Sequence, residues 1–206
     1  MNIAVFASGR GTNFGAIIRA VKKGTIKAHL SLLVCDNPGA AAIGRARRAG
    51  IKVALIKRND FASKQEFETA IIRHLEENKI DLIALAGFMR VLSPEFVQRF
   101  KARILNIHPS LLPSFKGEEG IKDAFEYGVK VTGVTVHFVD EEMDHGPIIL
   151  QKEIKIEETD TLESLESRIH KVEHKLYPEA LKLLVEGRLS IEGRKVKITS
   201  RQASPK

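Results

Sequence analysis

Short apolar runs alternate with amphipathic segments over residues 3–108, and this alternation is the feature that most restricts how the chain can fold. Short apolar runs predict strands, and segments with apolar residues three and four apart predict helices. Strands are expected at 3–7, 30–35, 53–56, 82–86 and 104–108, and helices at 13–23, 40–49, 64–78 and 94–100. Strands that alternate with helices form a parallel sheet through right-handed crossovers, with helices on both faces.

Local residue choices mark several helix ends. Ser63, three residues before Glu66, indicates a capping box, and Ser93 before Pro94 is typical of an N-cap followed by proline at the first helical position. Gly50 is expected to close the helix before it, because glycine adopts the left-handed conformation found after helix ends.

The second half of the chain has a different pattern. Residues 131–139 and 148–156 are long, partly alternating segments with no helix between them, which indicates an antiparallel pair. Residues 161–184 form a long amphipathic helix, and 193–206 are expected to be a peripheral hairpin fading into a frayed tail. The predicted fold class is therefore α/β. We expect one domain with a Rossmann-like, mostly parallel sheet, added antiparallel strands and a long C-terminal helix.

The charge of the chain is unevenly distributed. The formal net charge is +7, and the first 60 residues hold eleven Lys and Arg against two acidic residues. A positive N-terminal half suits a small anionic substrate. Nucleic-acid binding is not expected, because aromatic residues are few and no binding motif accompanies the charge. No apolar run approaches a membrane span, and the start of the chain reads as a first strand rather than a signal peptide.

The single cysteine, Cys35, cannot form an internal disulfide. This agrees with a reducing compartment, so we expect a cytoplasmic protein. A small buried apolar role suits Cys35 better than a nucleophilic one.

A glycine-rich loop at residues 8–13 separates the first predicted strand from the first helix. Gly11 lets the backbone approach an anion closely, and the helix that follows offers free N–H groups and a positive dipole end. Thr12 and Asn13 add side-chain donors. The loop predicts a site for a phosphate monoester.

The same loop partly matches a dinucleotide-binding fingerprint. Gly9 and Gly11 occupy its first two glycine positions, and Asp36 ends the second strand where a ribose-binding acid would stand. Phe14 replaces the third glycine, which disturbs the close packing of helix on strand that the motif requires. Phosphate-ester binding is therefore favoured over NAD binding.

Asn106 and His108 end the fifth predicted strand, just before Pro109. Residues two apart on a strand point to the same face, and ligands of open α/β sheets bind at the carboxyl ends of strands. The amide can donate to a developing oxyanion, and the imidazole can move a proton near neutral pH. Asp144, in a turn bounded by glycine and proline, is the best partner to favour the charged imidazole. This set predicts acyl or formyl transfer.

Two further segments carry candidate functions. His170, Glu173 and His174 match a short zinc-protease pattern, H-x-x-E-H, but nothing nearby supports a metal cage, so no metal is predicted. Glu173 is instead expected to face the cleft and accept hydrogen bonds from substrate hydroxyls. The segment 85–92 offers apolar surface and backbone amides that would suit a flat heteroaromatic ligand such as a pterin.

Taken together, these stretches resemble the folate-dependent phosphoribosylglycinamide formyltransferases of purine biosynthesis. The resemblance covers nearly the whole chain, in order, through SGRGTN, LAGFMRVLSPEF, NIHPSLLPSF, VTGVTVHFVDEEMDHGPIILQ and EHKLYPEAL. It implies transfer of a formyl group from 10-formyltetrahydrofolate, as co-substrate, to the amine of 5′-phosphoribosylglycinamide. It also implies one formyltransferase domain over 1–206, with a phosphate-substrate half at 1–100, a catalytic and folate-binding half at 101–190 and a peripheral tail at 191–206.

The resemblance assigns a role to each candidate residue. It implies that His108 is the general acid and base, that Asn106 is the oxyanion donor and that Asp144 tunes His108. It implies a phosphate and ribose site at Gly11, Thr12, Asn13 and Glu173, and a folate site at Lys64, Met89, Arg90, Val91, Leu92 and Asn106. The partners it implies are small molecules, and the protein is expected to be a monomer or homodimer.

Three positions depart from the family pattern. Lys64 stands where the family usually has arginine, so a two-pronged contact to folate would be reduced to a point charge. Residues 116–120 replace a usual proline-glycine loop, and we assign that loop no role. His145 replaces a small residue next to Asp144.

Rival functions remain open at this point. A formyltetrahydrofolate hydrolase would normally resemble this chain and carry an extra N-terminal regulatory domain, which we do not find. An NAD-binding oxidoreductase rests only on Gly9, Gly11 and Asp36, and a basic binding module rests on the charge asymmetry alone.

Overall fold

The fold was obtained as a computed structural model, and the structure describes residues 1–199. A nine-stranded mixed sheet forms its centre, with strand order β3-β2-β1-β4-β5-β6-β7-β9-β8. The strands are β1 (Asn2–Phe6), β2 (His29–Cys35), β3 (Lys52–Leu55), β4 (Leu82–Leu85), β5 (Ile104–His108), β6 (Val131–Phe138), β7 (Ile148–Lys155), β8 (Leu189–Glu192) and β9 (Lys195–Ile198).

Six α-helices cover the sheet within this described part. They are α1 (Thr12–Lys22), α2 (Ala41–Ala49), α3 (Lys64–Glu77), α4 (Pro94–Arg99), α5 (Gly120–Tyr127) and α6 (Leu162–Val185). One apolar layer packs under α1, α2 and α6, and the other packs under α3 and α4. The predicted α/β, Rossmann-like architecture with a long C-terminal helix is confirmed.

The order of the parallel strands creates a crevice at their carboxyl ends. The chain runs from β1 outward through β2 to β3, then returns to the other side of β1 to form β4 and β5. Open α/β sheets bind ligands where the strand order reverses in this way. The loops that follow β1 and β4 both end at this point, beside the end of β5.

The antiparallel part of the sheet extends from β5. β6 pairs with β5, and β7 pairs with β6, as the alternating pattern predicted. In this register Asn106 lies opposite His137, and His108 lies opposite Thr135. β6 therefore places its side chains next to those at the end of β5.

Several predicted caps are present. Ser63 accepts from the Glu66 amide at 3.1 Å, and Ser93 accepts from the Phe96 amide at 3.1 Å. The Glu66 carboxylate accepts from Ala62 N rather than from Ser63 N, so only one of the two capping-box bonds forms. Gly50 ends α2 with φ 71°.

The structure contains elements that the local pattern did not predict. α5 is short, buries only Gly120 and Ala124, and has no side-chain cap to mark its start in the sequence. The C-terminal hairpin begins at Leu189 rather than at 193, and Gly193 lies in its turn. The expected frayed tail at 200–206 lies outside the described residues. Over residues 1–199, no helix combines the length and apolar character needed to span a bilayer.

Candidate active site

A cleft of about 520 Å³ opens at the carboxyl ends of β1, β4 and β5. Loops from both halves of the chain line it, including the glycine-rich loop after β1 and the 139–147 loop between β6 and β7. Most of the predicted site residues face this one cavity: Gly11, Thr12, Asn13, Met89, Arg90, Val91, Leu92, Asn106, His108, Asp144 and Glu173.

Asn106, His108 and Asp144 meet at one end of the cleft. Asn106 donates from Nδ2 to Asp144 Oδ1 at 3.3 Å, and His108 Nδ1 lies 3.4 Å from Asp144 Oδ2. The strand pattern accounts for the first two, because positions two apart on β5 share a face. The 139–147 loop brings Asp144 over the end of that strand, as the sequence had indicated.

The His108 imidazole is held on both sides. Its Nε2 lies 2.7 Å from the Phe115 carbonyl oxygen, and its Nδ1 faces the Asp144 carboxylate. A carbonyl can only accept, so Nε2 carries a hydrogen and donates it. The side chain is only 4% exposed. This environment fixes the ring orientation and keeps bulk water from the imidazole.

The Asp144 carboxylate is buried yet well supplied with donors. Burial alone would raise its pKa, but the nearby His137, the hydrogen bond from the Gly117 N–H at 2.9 Å and the nearby His108 outweigh this effect and lower the pKa of the carboxyl. The residue has φ 49°, a left-handed conformation that aspartate tolerates better than most residues. A charged carboxylate is therefore maintained beside the imidazole.

His137 joins this cluster, although the sequence did not single it out. Its Nε2 lies 3.3 Å from Asn106 Nδ2 and 3.8 Å from Asp144 Oδ1, and its Nδ1 lies 2.7 Å from the Phe138 carbonyl. The sequence indicated only that His137 lies on an alternating strand. The β5–β6 register, which pairs His137 with Asn106, is what places it beside the site.

The opposite end of the cleft is built on the glycine-rich loop. Gly11 has φ 63°, and a Cβ there would lie 2.8 Å from the Ala42 side chain, so both conformation and space require glycine. α1 begins at Thr12, which directs free N–H groups toward the cleft. Asn13 donates from Nδ2 to Glu173 Oε2 at 3.0 Å and so connects this loop to α6.

Arg10 and His170 also face this end, and neither was among the predicted binding residues. Arg10 Nη2 lies 3.2 Å from His170 Nε2, and His170 Nδ1 lies 2.9 Å from Glu173 Oε2. The hydrogen bond to Glu173 raises the pKa of the imidazole. Both ring nitrogens of His170 are thus engaged by side chains. Across residues 1–199, no three His, Cys, Asp or Glu side chains are grouped to hold a metal ion.

The middle of the cleft is formed by the loop after β4. Met89 N donates to Ser8 Oγ at 3.0 Å, and Arg90 Nε donates to the buried Asp36 carboxylate at 2.7 Å. Asp36, the acid that an NAD site would need for ribose, is therefore paired with Arg90. The exposed Met89 and Val91 give this stretch an apolar surface.

Lys64 does not line the cleft. It begins α3, is half-exposed, and its Nζ lies 4.0 Å from Glu68. Glu68 in turn accepts from Ser93 N, next to Leu92, so Lys64 lies beyond the Leu92 edge. Its assignment to folate stays a prediction from the resemblance.

Comparisons with known proteins agree on the family. The formyl transferase family model matches residues 1–181. Phosphoribosylglycinamide formyltransferase of Bacillus subtilis is 50% identical over 182 residues, covering 88% of this chain and 93% of that protein. The trifunctional purine biosynthetic protein adenosine-3 of Homo sapiens is 42% identical over 92% of this chain, which spans only 19% of that protein.

Solved structures give the same result. Glycinamide ribonucleotide transformylase 1 of Symbiobacterium toebii has a TM-score of 0.95 and 44% identity, covering 97% of this chain and 94% of that one. A formyltetrahydrofolate deformylase of Pseudomonas syringae shares the fold, with a TM-score of 0.90 and 22% identity; the match covers 97% of this chain and 66% of the deformylase. The sequence resemblance is confirmed: the chain belongs to the formyl transferase family and, within it, to the phosphoribosylglycinamide formyltransferases.

Proposed function

We propose that this protein transfers the formyl group of 10-formyltetrahydrofolate to the amine of 5′-phosphoribosylglycinamide, a step of purine biosynthesis. The observation that carries the proposal is one cleft with an amide, an imidazole and a carboxylate at one end and an anion-binding loop at the other. We further propose a cytoplasmic location, which suits a chain whose single cysteine is buried and free.

The reaction begins with direct attack of the amine nitrogen on the formyl carbon. A nitrogen–carbon bond forms, and the formyl oxygen becomes an oxyanion. Asn106 Nδ2 and the protonated His108 are the donors at hand for this charge. Breaking the bond to the folate nitrogen completes the transfer. Protonated His108 gives a proton to the nitrogen that leaves and regains one from the attacking nitrogen, directly or through water.

Asp144 supports this role by keeping a negative charge next to the imidazole. Its lowered pKa means that the carboxyl stays ionised at neutral pH, with Oδ2 3.4 Å from His108 Nδ1, where it can orient the ring and offset positive charge that develops on it. The Phe115 carbonyl now accepts the His108 Nε2–H. For that hydrogen to reach an oxyanion, this one bond must be exchanged for a bond to the substrate.

The rest of the cleft accounts for the two substrates. The N–H groups at Gly11, Thr12 and Asn13 suit a phosphate, and the Glu173 carboxylate suits ribose hydroxyls. The apolar and amide surface at 89–92, which ends beside Asn106, suits a pterin. This arrangement would set amine and formyl carbon next to each other at His108.

The test is turnover with and without the amine. Purified protein is mixed with 10-formyltetrahydrofolate, with or without 5′-phosphoribosylglycinamide, and release of tetrahydrofolate is measured. The proposal expects release only when the amine is present. Equal release in both mixtures would identify a hydrolase, which the 22% identity to the deformylase does not favour, and no release in either would contradict formyl chemistry.

A further inference from the structure

The 139–147 loop forms one wall of the cleft and carries Asp144. Its residues from Val139 to Asp144 line the cavity on their inner side. Gly146 lets the loop turn tightly against β6, because a Cβ there would lie 1.9 Å from the Phe138 carbonyl oxygen. The position of this loop therefore sets both the shape of the cleft beside Asn106, where we propose that the formyl donor binds, and the distance from Asp144 to His108.

The outer side of this loop is held by the C-terminal hairpin. Arg194, in the turn between β8 and β9, donates from Nη2 to the His145 carbonyl oxygen at 2.6 Å. Its Nη1 lies 2.9 Å from His145 Nε2 and 3.3 Å from Nδ1. The hairpin is attached to the sheet through the pairing of Lys195 with Ile148 on β7. A guanidinium on a sheet-bound turn thus makes a two-pronged contact with one loop residue.

His145 connects Arg194 to Asp140, which lines the cleft. Its Nδ1 lies 2.7 Å from Asp140 Oδ2, while Asp140 Oδ1 accepts from Glu142 N at 3.2 Å. An imidazole with hydrogen on Nδ1 can donate to Asp140 and accept from Arg194 at Nε2 at the same time. Glu142, 3.9 Å away, is the other charged group facing this ring. The side chains form a continuous brace from hairpin to cleft, Arg194–His145–Asp140.

We propose that Arg194 and His145 are positioning residues for formyl transfer, acting through the 139–147 loop. This inference rests on the proposed function. The brace lies at the Asp144 end of the cleft, away from the loop at residues 11–13. Loosening it should therefore weaken binding of the formyl donor and misplace Asp144, and leave binding of the phosphorylated amine unchanged. The proposal also gives a role to His145, which departs from the family pattern and lies next to Asp144.

The experiment compares Arg194→Ala, His145→Ala and the double variant with the unaltered protein. Lys197→Ala is the matched control, because Lys197 lies on the same hairpin and pairs with Glu192 rather than with the loop. Removing hydrogen bonds of this kind corresponds to about a fivefold effect or more. We expect the KM for 10-formyltetrahydrofolate to rise by about that factor and kcat to fall, with an unchanged KM for 5′-phosphoribosylglycinamide.

Two readouts separate positioning from general damage. If one brace is involved, the double variant should be no worse than the more affected single variant. Amide hydrogen exchange of residues 139–147 should become faster in Arg194→Ala and not in Lys197→Ala. The proposal would be overturned if the KM of Arg194→Ala for 10-formyltetrahydrofolate stayed within about twofold of that of the unaltered protein. It would also be overturned if the effects of the two single variants multiplied in the double variant.

The outcomes also separate this inference from the proposed function. If the unaltered protein does not transfer formyl groups, the proposed function fails, and hydrogen exchange alone then decides whether Arg194 braces the loop. If it does transfer them and the brace variants behave like Lys197→Ala, only the brace is wrong.

Discussion

At the scale of single residues, the site depends on a carboxylate that stays charged although it is buried. Asp144 achieves this through groups that come from three segments: His137 on β6, Gly117 N before α5, and Asn106 and His108 on β5. Each of these contacts alone is ordinary, but together they outweigh the cost of burial. The free energy of unfolding at acid pH should therefore depend on these contacts to Asp144.

The lowered pKa of Asp144 predicts a pH-dependent contribution to stability. The folded value lies below the ordinary 3.8, so the charged carboxylate contributes stability that is fully present above that ordinary value. This contribution is lost as the pH falls through the folded pKa. The free energy of unfolding of the unaltered protein minus that of Asp144→Asn should thus be constant down to about pH 5 and decrease at lower pH. Urea titrations of both proteins between neutral and acid pH measure this difference, and a constant difference would contradict the prediction.

The assigned role of Asn106 predicts a selective kinetic loss. Loss of one oxyanion donor typically costs about 10²–10³ in kcat. In Asn106→Ala we expect a decrease of that order, with the KM for 5′-phosphoribosylglycinamide little changed, because the oxyanion charge it meets exists only in the transition state. Steady-state kinetics decide this. A large rise in KM at normal kcat would instead make Asn106 a ground-state binding residue.

At the scale of elements, the end of β5 and the start of α5 are fitted closely together. A Cβ at Gly120 would lie 2.9 Å from the Phe115 carbonyl oxygen and 3.1 Å from His108 Nε2. α5 therefore has a function in the site that the sequence did not reveal. Its first residue must be small so that Phe115 can hold the imidazole.

Gly120→Ala is expected to lower kcat about tenfold, since small displacements of catalytic groups are costly. The added methyl must move either the Phe115 carbonyl or the imidazole. Lys122→Ala, a partly exposed position on the same helix, serves as the control and should leave kcat unchanged. Equal kcat values for Gly120→Ala and the control would show that the Phe115–His108 contact is not needed for turnover.

At the scale of the whole molecule, α6 connects the C-terminal part to the parallel sheet. The hydroxyl of Tyr177 lies 2.7 Å from the Leu85 carbonyl oxygen and 3.0 Å from the Leu105 carbonyl oxygen. Burial raises the pKa of this phenol well above its usual value, so it remains a neutral donor. One side chain thus fixes the helix across β4 and β5, close to where both strands enter the cleft.

Tyr177→Phe should reduce the free energy of unfolding by about 1–2 kcal/mol, because buried carbonyl groups lose a donor. Tyr127→Phe is the matched control: that tyrosine is 80% exposed, and its change should stay within about 0.5 kcal/mol. Chemical denaturation of both variants measures the difference. Equal stability of the two variants would contradict a structural role for the Tyr177 hydroxyl.

The sequence alone determined the elements that short-range rules control. Alternating patterns and caps predicted β1 to β7 and five of the helices, because apolar spacing, N-caps and glycine at helix ends act within a few residues. The same rules placed Asn106 and His108 on one face of β5 and the glycine-rich loop at a helix start. The sequence resemblance then assigned the family, and the comparisons confirmed it.

Only the tertiary structure decided which distant side chains touch. His137 reaches Asn106 through the β5–β6 register, Arg194 reaches His145 through the hairpin, and Lys64 lies outside the cleft. No local pattern contains these facts, because the distance between two segments is set by sheet register and by packing across the whole core. A residue's chemistry can be read from its identity, but its partners are fixed only when the chain has folded.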